Sequence, residues 1–276
     1  MAMRRWMPLL LAGLLCALCG CGGAEDAGAE TGSAARGSGS AGVQEEEPLV
    51  DPPLEDEAAD TSAEQELAGV IICLDPGHGV TSARAQERVS PLSQETKAAY
   101  VSGASGRSQT EEEVNLAVAL LAREQLEARG AQVILTRQTS EATVSNIERA
   151  QMANDANADL CIRIHADGSD DPSVSGMSMQ VPVGELLGTP EIEQPSARAA
   201  EIILAEVTAA TGASSRGLAP RSDLTGFNWS EVPCVLLEMG FLSNAQEDAL
   251  LATDAYRQQI ASGIVSGVCR WMESER

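Results

Sequence analysis

The chain has 276 residues, 43% of them hydrophobic, which is enough for one or two domains with a buried core. Its 41 acids against 18 bases leave a net charge of −23, which argues against a nucleic-acid partner held through phosphate contacts. Three Trp, two Tyr and two Phe are too few for an extended stacking platform, and only two histidines occur, His78 and His165.

Arg4 and Arg5 precede an apolar run from Trp6 to Leu18, which is too short to span a bilayer and reads as the core of a signal peptide. The run ends in Leu18-Cys19-Gly20-Cys21, which resembles the bacterial lipobox. That resemblance implies a lipoprotein signal over residues 1–20, cleaved before a lipidated Cys21, and a mature protein anchored outside the cytoplasmic membrane by acyl chains. The bland alternative is an ordinary signal peptide with incidental cysteines. Residues 21–68 follow as a linker. Thirteen acids and one base among Gly, Ser, Ala and Pro between 22 and 67 cannot bury enough apolar surface to fold, so this stretch reads as an extended, disordered tether.

From residue 69 to 276 the pattern alternates between strand and helix. Gly69–Leu74 is an unbroken apolar run, as in a strand covered on both faces. Glu111–Arg129 has apolar residues at helical spacing and Gly130 as its stop, and Gln132–Thr136 is the next strand. Asn146–Asn157 is a second helix, opened by a capping-box pair, Ser145 and Glu148. Further strands are expected over Asp159–Ile164, Met177–Val183 and Pro233–Leu237, with helices over Ala197–Ala210 and Asp254–Met272. This order predicts an α/β fold: a single domain with a mostly parallel, twisted sheet flanked by helices. Gly79–Thr110, Ala166–Gly176 and Gly212–Ser230 read as long irregular connections. Cys73, Cys161, Cys234 and Cys269 form no CxxC pair, and their expected role is as small buried hydrophobes.

The chemistry-bearing residues fall at strand ends. His78 lies in Asp75-Pro76-Gly77-His78-Gly79 after the first strand, His165 follows the strand at 159–164, and Glu238 closes the strand at 233–237. In open α/β sheets that carboxyl edge is where ligands bind. Two histidines and a carboxylate make a common catalytic zinc set, although a lone strand-end histidine is more often structural and no HExxH or HxH occurs. Glu111, Glu112 and Glu113 open a helix nearby. The capping box accounts for Glu113 with Thr110, and Glu112 is expected to face solvent. Arg163 shares a strand face with Cys161 and His165; it would pair with a buried carboxylate, or else position Glu238 or a substrate carboxylate. Arg149 and Asn154 are expected to brace a helix on the sheet, and Phe227 and Trp229 to anchor the core or a loop.

At residues 71–79, 111–137, 148–167 and 233–244 the chain resembles the zinc-dependent cell-wall N-acetylmuramoyl-L-alanine amidases, with the motifs in the family's order. The resemblance implies one Zn2+ per chain held by His78, Glu111 and His165, with Glu238 as the catalytic carboxylate. It also implies peptidoglycan as substrate, cut between the lactyl group of muramic acid and L-alanine. The chain departs from the family in a longer 79–110 loop, in Ala166-Asp167 after His165, and in Arg163 where serine is common. The long inserted helix that covers the zinc in some relatives has no counterpart in 166–237. Two alternatives stand beside this reading: a zinc peptidase acting on stem peptides, and a non-catalytic wall-binding or regulatory lipoprotein on an amidase fold.

Overall fold

A computed structural model describes residues 66–276, so the expected signal segment, Cys21 and nearly all of the tether lie outside the described residues. Leu67 is fully buried and its N–H donates to Arg129 O at 2.9 Å, so it packs with the described domain although it precedes residue 69.

The first strand, β1 (Ile71–Pro76), is followed by a short antiparallel hairpin of β2 (Gln86–Arg88) and β3 (Thr96–Ala98), then by α1 (Glu111–Glu127) and β4 (Gln132–Leu135). Next come α2 (Asn146–Asp155), β5 (Leu160–Asp167), β6 (Met177–Pro182), α3 (Glu193–Thr211) and β7 (Ser215–Arg221). A four-residue α4 (Thr225–Asn228), β8 (Cys234–Phe241), α5 (Ala245–Leu251) and α6 (Asp254–Glu275) complete the chain. Six strands form one sheet in the order β4-β1-β5-β8-β6-β7. The first four are parallel, β6 runs antiparallel to β8, and β7 is parallel to β6. None of the described helices is long and apolar enough to cross a membrane.

Strand alternation gives the sheet two different faces. Ile72 and Leu74, Ile162 and Ile164, and Val235 and Leu237 pack with Val118 of α1, Ile203 of α3 and Ile264 of α6 in the main core. Each fully buried Leu or Ile there contributes roughly 1.5–3 kcal/mol. The other face changes character along the strands. Cys73, Cys161 and Cys234 stand in register and join a small core with Phe227, while Asp75 and Arg163 pair one layer further on. His165 and Glu238 face each other across β5 and β8 at the carboxyl edge. All four described cysteines are free and buried, as expected for small hydrophobes.

Both capping boxes are present in part or whole: Thr110 N donates to Glu113 at 2.9 Å, and Ser145 and Glu148 bond reciprocally at 2.7 and 3.2 Å. Strands β5 and β8 run past their expected ends, so His165 and Glu238 lie within strands rather than beyond them. The long 79–110 connection holds the β2–β3 hairpin, fastened by Trp229 Nε1 to Arg88 O at 3.0 Å and Asn228 Nδ2 to Val89 O at 3.0 Å. Trp229 is therefore a loop anchor and Phe227 a core residue. Of the helices between β5 and β8, α3 is packed into the main core and α4 has four residues.

Candidate metal centre

The turn after β1 is built by buried charges. Asp75, 1% exposed, accepts from Thr136 Oγ1 and Arg149 Nη1, both at 2.6 Å, and from Arg163 Nε at 2.8 Å. Burial alone would raise the Asp75 carboxyl, but the Arg149 and Arg163 guanidiniums hold it far below the usual carboxylate range. Arg149 also donates to Pro76 O at 2.9 Å and to His78 O, and Arg137 donates to Pro76 O at 2.8 Å and Gly77 O at 2.9 Å. These bonds satisfy successive carbonyls of a tight turn and hold His78 at φ +60°, a left-handed conformation that costs of order 1–3 kcal/mol outside glycine and persists only where the surroundings over-determine it.

His78 Nδ1 donates to Val101 O at 2.7 Å, and its Nε2 lies 3.2 Å from Glu111 Oε1. His165 Nδ1 lies 2.9 Å from the same oxygen, and the two imidazoles meet edge to face with centroids 4.8 Å apart. Glu111 Oε1 also accepts from Ala166 N at 3.2 Å and Asn115 Nδ2 at 3.3 Å, while Oε2 accepts from Ala104 N at 2.7 Å. One oxygen is thus tied to the 101–104 strap and the other faces the histidines. Space for this is made by two glycines. A Cβ at Gly77 would come within 2.1 Å of the His165 ring, and one at Gly103 would come within 2.7 Å of Glu111 Cβ and Oε2.

The donor set fits a cation. One ligand atom each from His78, Glu111 and His165 lies within 4.8 Å of the others. With its proton committed to Val101 O, neutral His78 turns a nitrogen lone pair on Nε2 toward a carboxylate, an arrangement reconciled by a cation or a second proton. The buried His165 Nε2 has no hydrogen-bond partner among the described residues. Burial would raise Glu111, yet the hydrogen bonds of His165 and His78 hold its carboxyl below the usual range, so it is charged and ready to ligate.

Glu238 stands opposite His165 in register and is buried. Its Oε1 accepts from Gln180 Nε2 at 3.0 Å, and its Oε2 is buried without a hydrogen-bond partner among the described residues. Burial, with the charges of Asp167 and Glu111 nearby, pushes its carboxyl well up. Arg163 is bonded to Asp75 and, at 3.2 Å, to Asn146 Oδ1, one layer beneath the histidines.

Glu112 corrects the sequence reading. It is buried rather than solvent-facing, because Oε1 accepts from Gly103 N at 3.0 Å where the long loop returns over the helix start. Asn154 does brace the fold, bonding Trp229 O and Glu231 N. Asp75, Arg137 and the 101–104 strap were given no role by sequence reasoning. The available signals were an acidic residue opening the turn motif and an unusually long loop.

The profile of the N-acetylmuramoyl-L-alanine amidase family matches residues 72–270. The chain is 28% identical over 217 residues to the N-acetylmuramoyl-L-alanine amidase Rv3717 of Mycobacterium tuberculosis, covering 76% of this chain and 89% of the relative. It is 30% identical over 201 residues to the amidase LytC of Bacillus subtilis, covering 73% of this chain and 35% of that longer protein. Among solved structures, the amidase Ami1 of Mycobacterium smegmatis superposes with a TM-score of 0.69 at 29% identity, covering 75% of this chain and 99% of Ami1.

Proposed function

The chain belongs to the N-acetylmuramoyl-L-alanine amidase family, and from that premise we propose how its residues divide the work of cutting the amide between N-acetylmuramic acid and L-alanine in peptidoglycan. His78, Glu111 and His165 would hold one zinc ion, and Glu238 would move the proton. The observation that carries this reading is the convergence of the three ligand atoms at the sheet's carboxyl edge, with Glu238 directly opposite His165. Zinc, when bound at such a site, supplies Lewis acidity toward a carbonyl oxygen and a water. Glu238 accepts a proton at Oε2 from the attacking water and delivers it to the departing L-alanine amine. Its geometry suits both steps, since Oε1 is held by Gln180 while Oε2 has no hydrogen-bond partner among the described residues and is left to take a proton and return it. Arg137 and Arg149 keep His78 in its strained turn, and the strap at 101–104 fixes the orientation of both His78 and Glu111.

Digestion of purified peptidoglycan with and without a chelator, followed by mass analysis, tests this reading. The expected products are intact stem peptides with a free N-terminal alanine, lost on chelation and restored by zinc. Cleavage within the stem instead would identify a peptidase, and no cleavage by zinc-loaded protein would identify a non-catalytic wall-binding protein.

We infer a lipid anchor from Leu18-Cys19-Gly20-Cys21 and the acidic stretch after it, which would place the enzyme outside the cytoplasmic membrane on a tether. Cys21→Ser is expected to leave unprocessed precursor or to release the protein from membranes. A Cys21→Ser protein that fractionates and migrates like wild type would rule the anchor out.

A further inference from the structure

Behind Glu238 runs a chain of polar side chains that no step above uses. Gln180 on β6, Arg221 at the end of β7 and Glu238 on β8 occupy one face of the sheet, by the register Gln180↔Leu236 and Gln180↔Ala219 and the two-residue alternation of strands. Gln180 Nε2 donates to Glu238 Oε1 at 3.0 Å, and Gln180 Oε1 accepts from Arg221 Nη1 at 2.9 Å. Arg221 is gripped in turn by Asp223, with Nε and Nη2 donating to its two carboxylate oxygens at 2.8 and 2.9 Å. We propose that Gln180 is a positioning residue for the hydrolysis, oriented by Arg221, and that it fixes which oxygen of Glu238 handles the proton.

The orientation of the Gln180 amide follows from chemistry. A guanidinium has only donors, so the amide must turn its oxygen to Arg221, and its NH2 is then committed to Glu238. The flipped amide would set NH2 against guanidinium and oxygen against carboxylate, losing both bonds. With Oε1 of Glu238 engaged in this way, Oε2 is the oxygen left to exchange a proton. Arg221 reaches Gln180 with the one terminal nitrogen that Asp223 leaves unused, so the half-exposed Arg221–Asp223 pair acts on the buried carboxylate through a single side chain. A positioned general acid–base must hold its geometry within tenths of an ångström, and a carboxylate free to turn about its last torsion loses that.

This inference rests on the assignment of proton transfer to Glu238, and the test separates the two. Turnover and KM on a purified muropeptide and zinc content would be measured for zinc-loaded full-length wild type, Gln180→Met, Arg221→Met, Arg221→Lys, the Gln180→Met/Arg221→Met double variant and Glu238→Gln. Gln180→Met is expected to lower kcat by roughly 10-fold or more, the size of one hydrogen bond to a charged group, with KM and zinc content unchanged. Arg221→Met is expected to lower kcat by a smaller factor that Arg221→Lys partly recovers. The double variant should be no slower than Gln180→Met, because the two residues act in series. Wild-type kcat in Gln180→Met, or effects that multiply in the double variant, would overturn the proposal. If Gln180→Met is recovered with less than one zinc per chain, Arg221→Met on the half-exposed rim carries the test: a lowered kcat at full zinc supports the relay, and an unchanged kcat overturns it. If Glu238→Gln turns over like wild type, the assignment of Glu238 fails and this proposal with it. If Glu238→Gln is inactive while Gln180→Met is unaffected, the role of Gln180 alone fails.

Discussion

Glu238→Gln is expected to retain about one zinc per chain while turnover falls by ~10²-fold or more, the range for acid–base catalysis. Glu111→Gln is expected to lose both metal and activity. The contrast follows from what each carboxylate touches. Glu238 uses one oxygen to accept from Gln180, and its other oxygen has no partner among the described residues, so an amide of the same shape fits but cannot take a proton. Glu111 has no such freedom. Its Oε2 accepts from Ala104 N and its Oε1 from Ala166 N, with both histidines on the Oε1 side. An amide would have to point NH2 at one of these donors, which either breaks the strap or removes the charged oxygen that a metal needs at ~2.0–2.2 Å. Elemental analysis and turnover on a muropeptide measure both outcomes. Zinc loss in Glu238→Gln with zinc kept in Glu111→Gln would mean that the two roles are reversed.

The parts of this fold that were legible in the sequence are those whose signal is local. β1 is a continuous apolar run, and α2 carries its own reciprocal cap, so both were expected within a few residues of where they lie. β7 had no such signal. Its sequence, SRGLAPR, contains Gly217 and Pro220, and it is a strand because β6 pairs with it at the sheet edge, where proline is tolerated. The β2–β3 hairpin is similar: QER and TKA lack alternation, and Trp229, Asn228 and Asn146 fasten the hairpin from distant positions. At the candidate site, scarcity made His78 and His165 conspicuous, and the family motif implied Glu111 and Glu238. Helical geometry gave the direction of Glu112 about the helix axis, but not that residues 101–104 would fold back over it. Gln180 and Arg221 belong to no motif of their own, and the pairing of β6 with β7 and β8 is what brings them to Glu238.

Asp75→Asn is expected to be the most destabilising single change near the site. Among the described residues, Asp75 is the one carboxylate bonded to both Arg149 and Arg163, each of which is nearly inaccessible to water. Removing one partner of a buried ion pair costs about 3–5 kcal/mol, because the charge left behind is desolvated without compensation. For a domain of this size each kcal/mol lowers Tm by about 2–4 °C, so a fall of roughly 6–20 °C is expected in thermal unfolding. Because the folded carboxyl is held below its unfolded value of about 4, its stabilisation is complete above that pH and is lost only as pH falls further toward the folded value. The difference between wild type and Asp75→Asn should therefore be constant from pH 6 to 8 and shrink in acid. Activity should fall more than the loss of folded protein explains. Arg149, no longer tethered by Asp75, also holds the carbonyls of Pro76 and His78, and the left-handed His78 relaxes once that clamp loosens. An Asp75→Asn protein that unfolds within about 1 kcal/mol of wild type would show that hydration or rearrangement offsets the lost charge, and that the turn carrying His78 is held without Asp75.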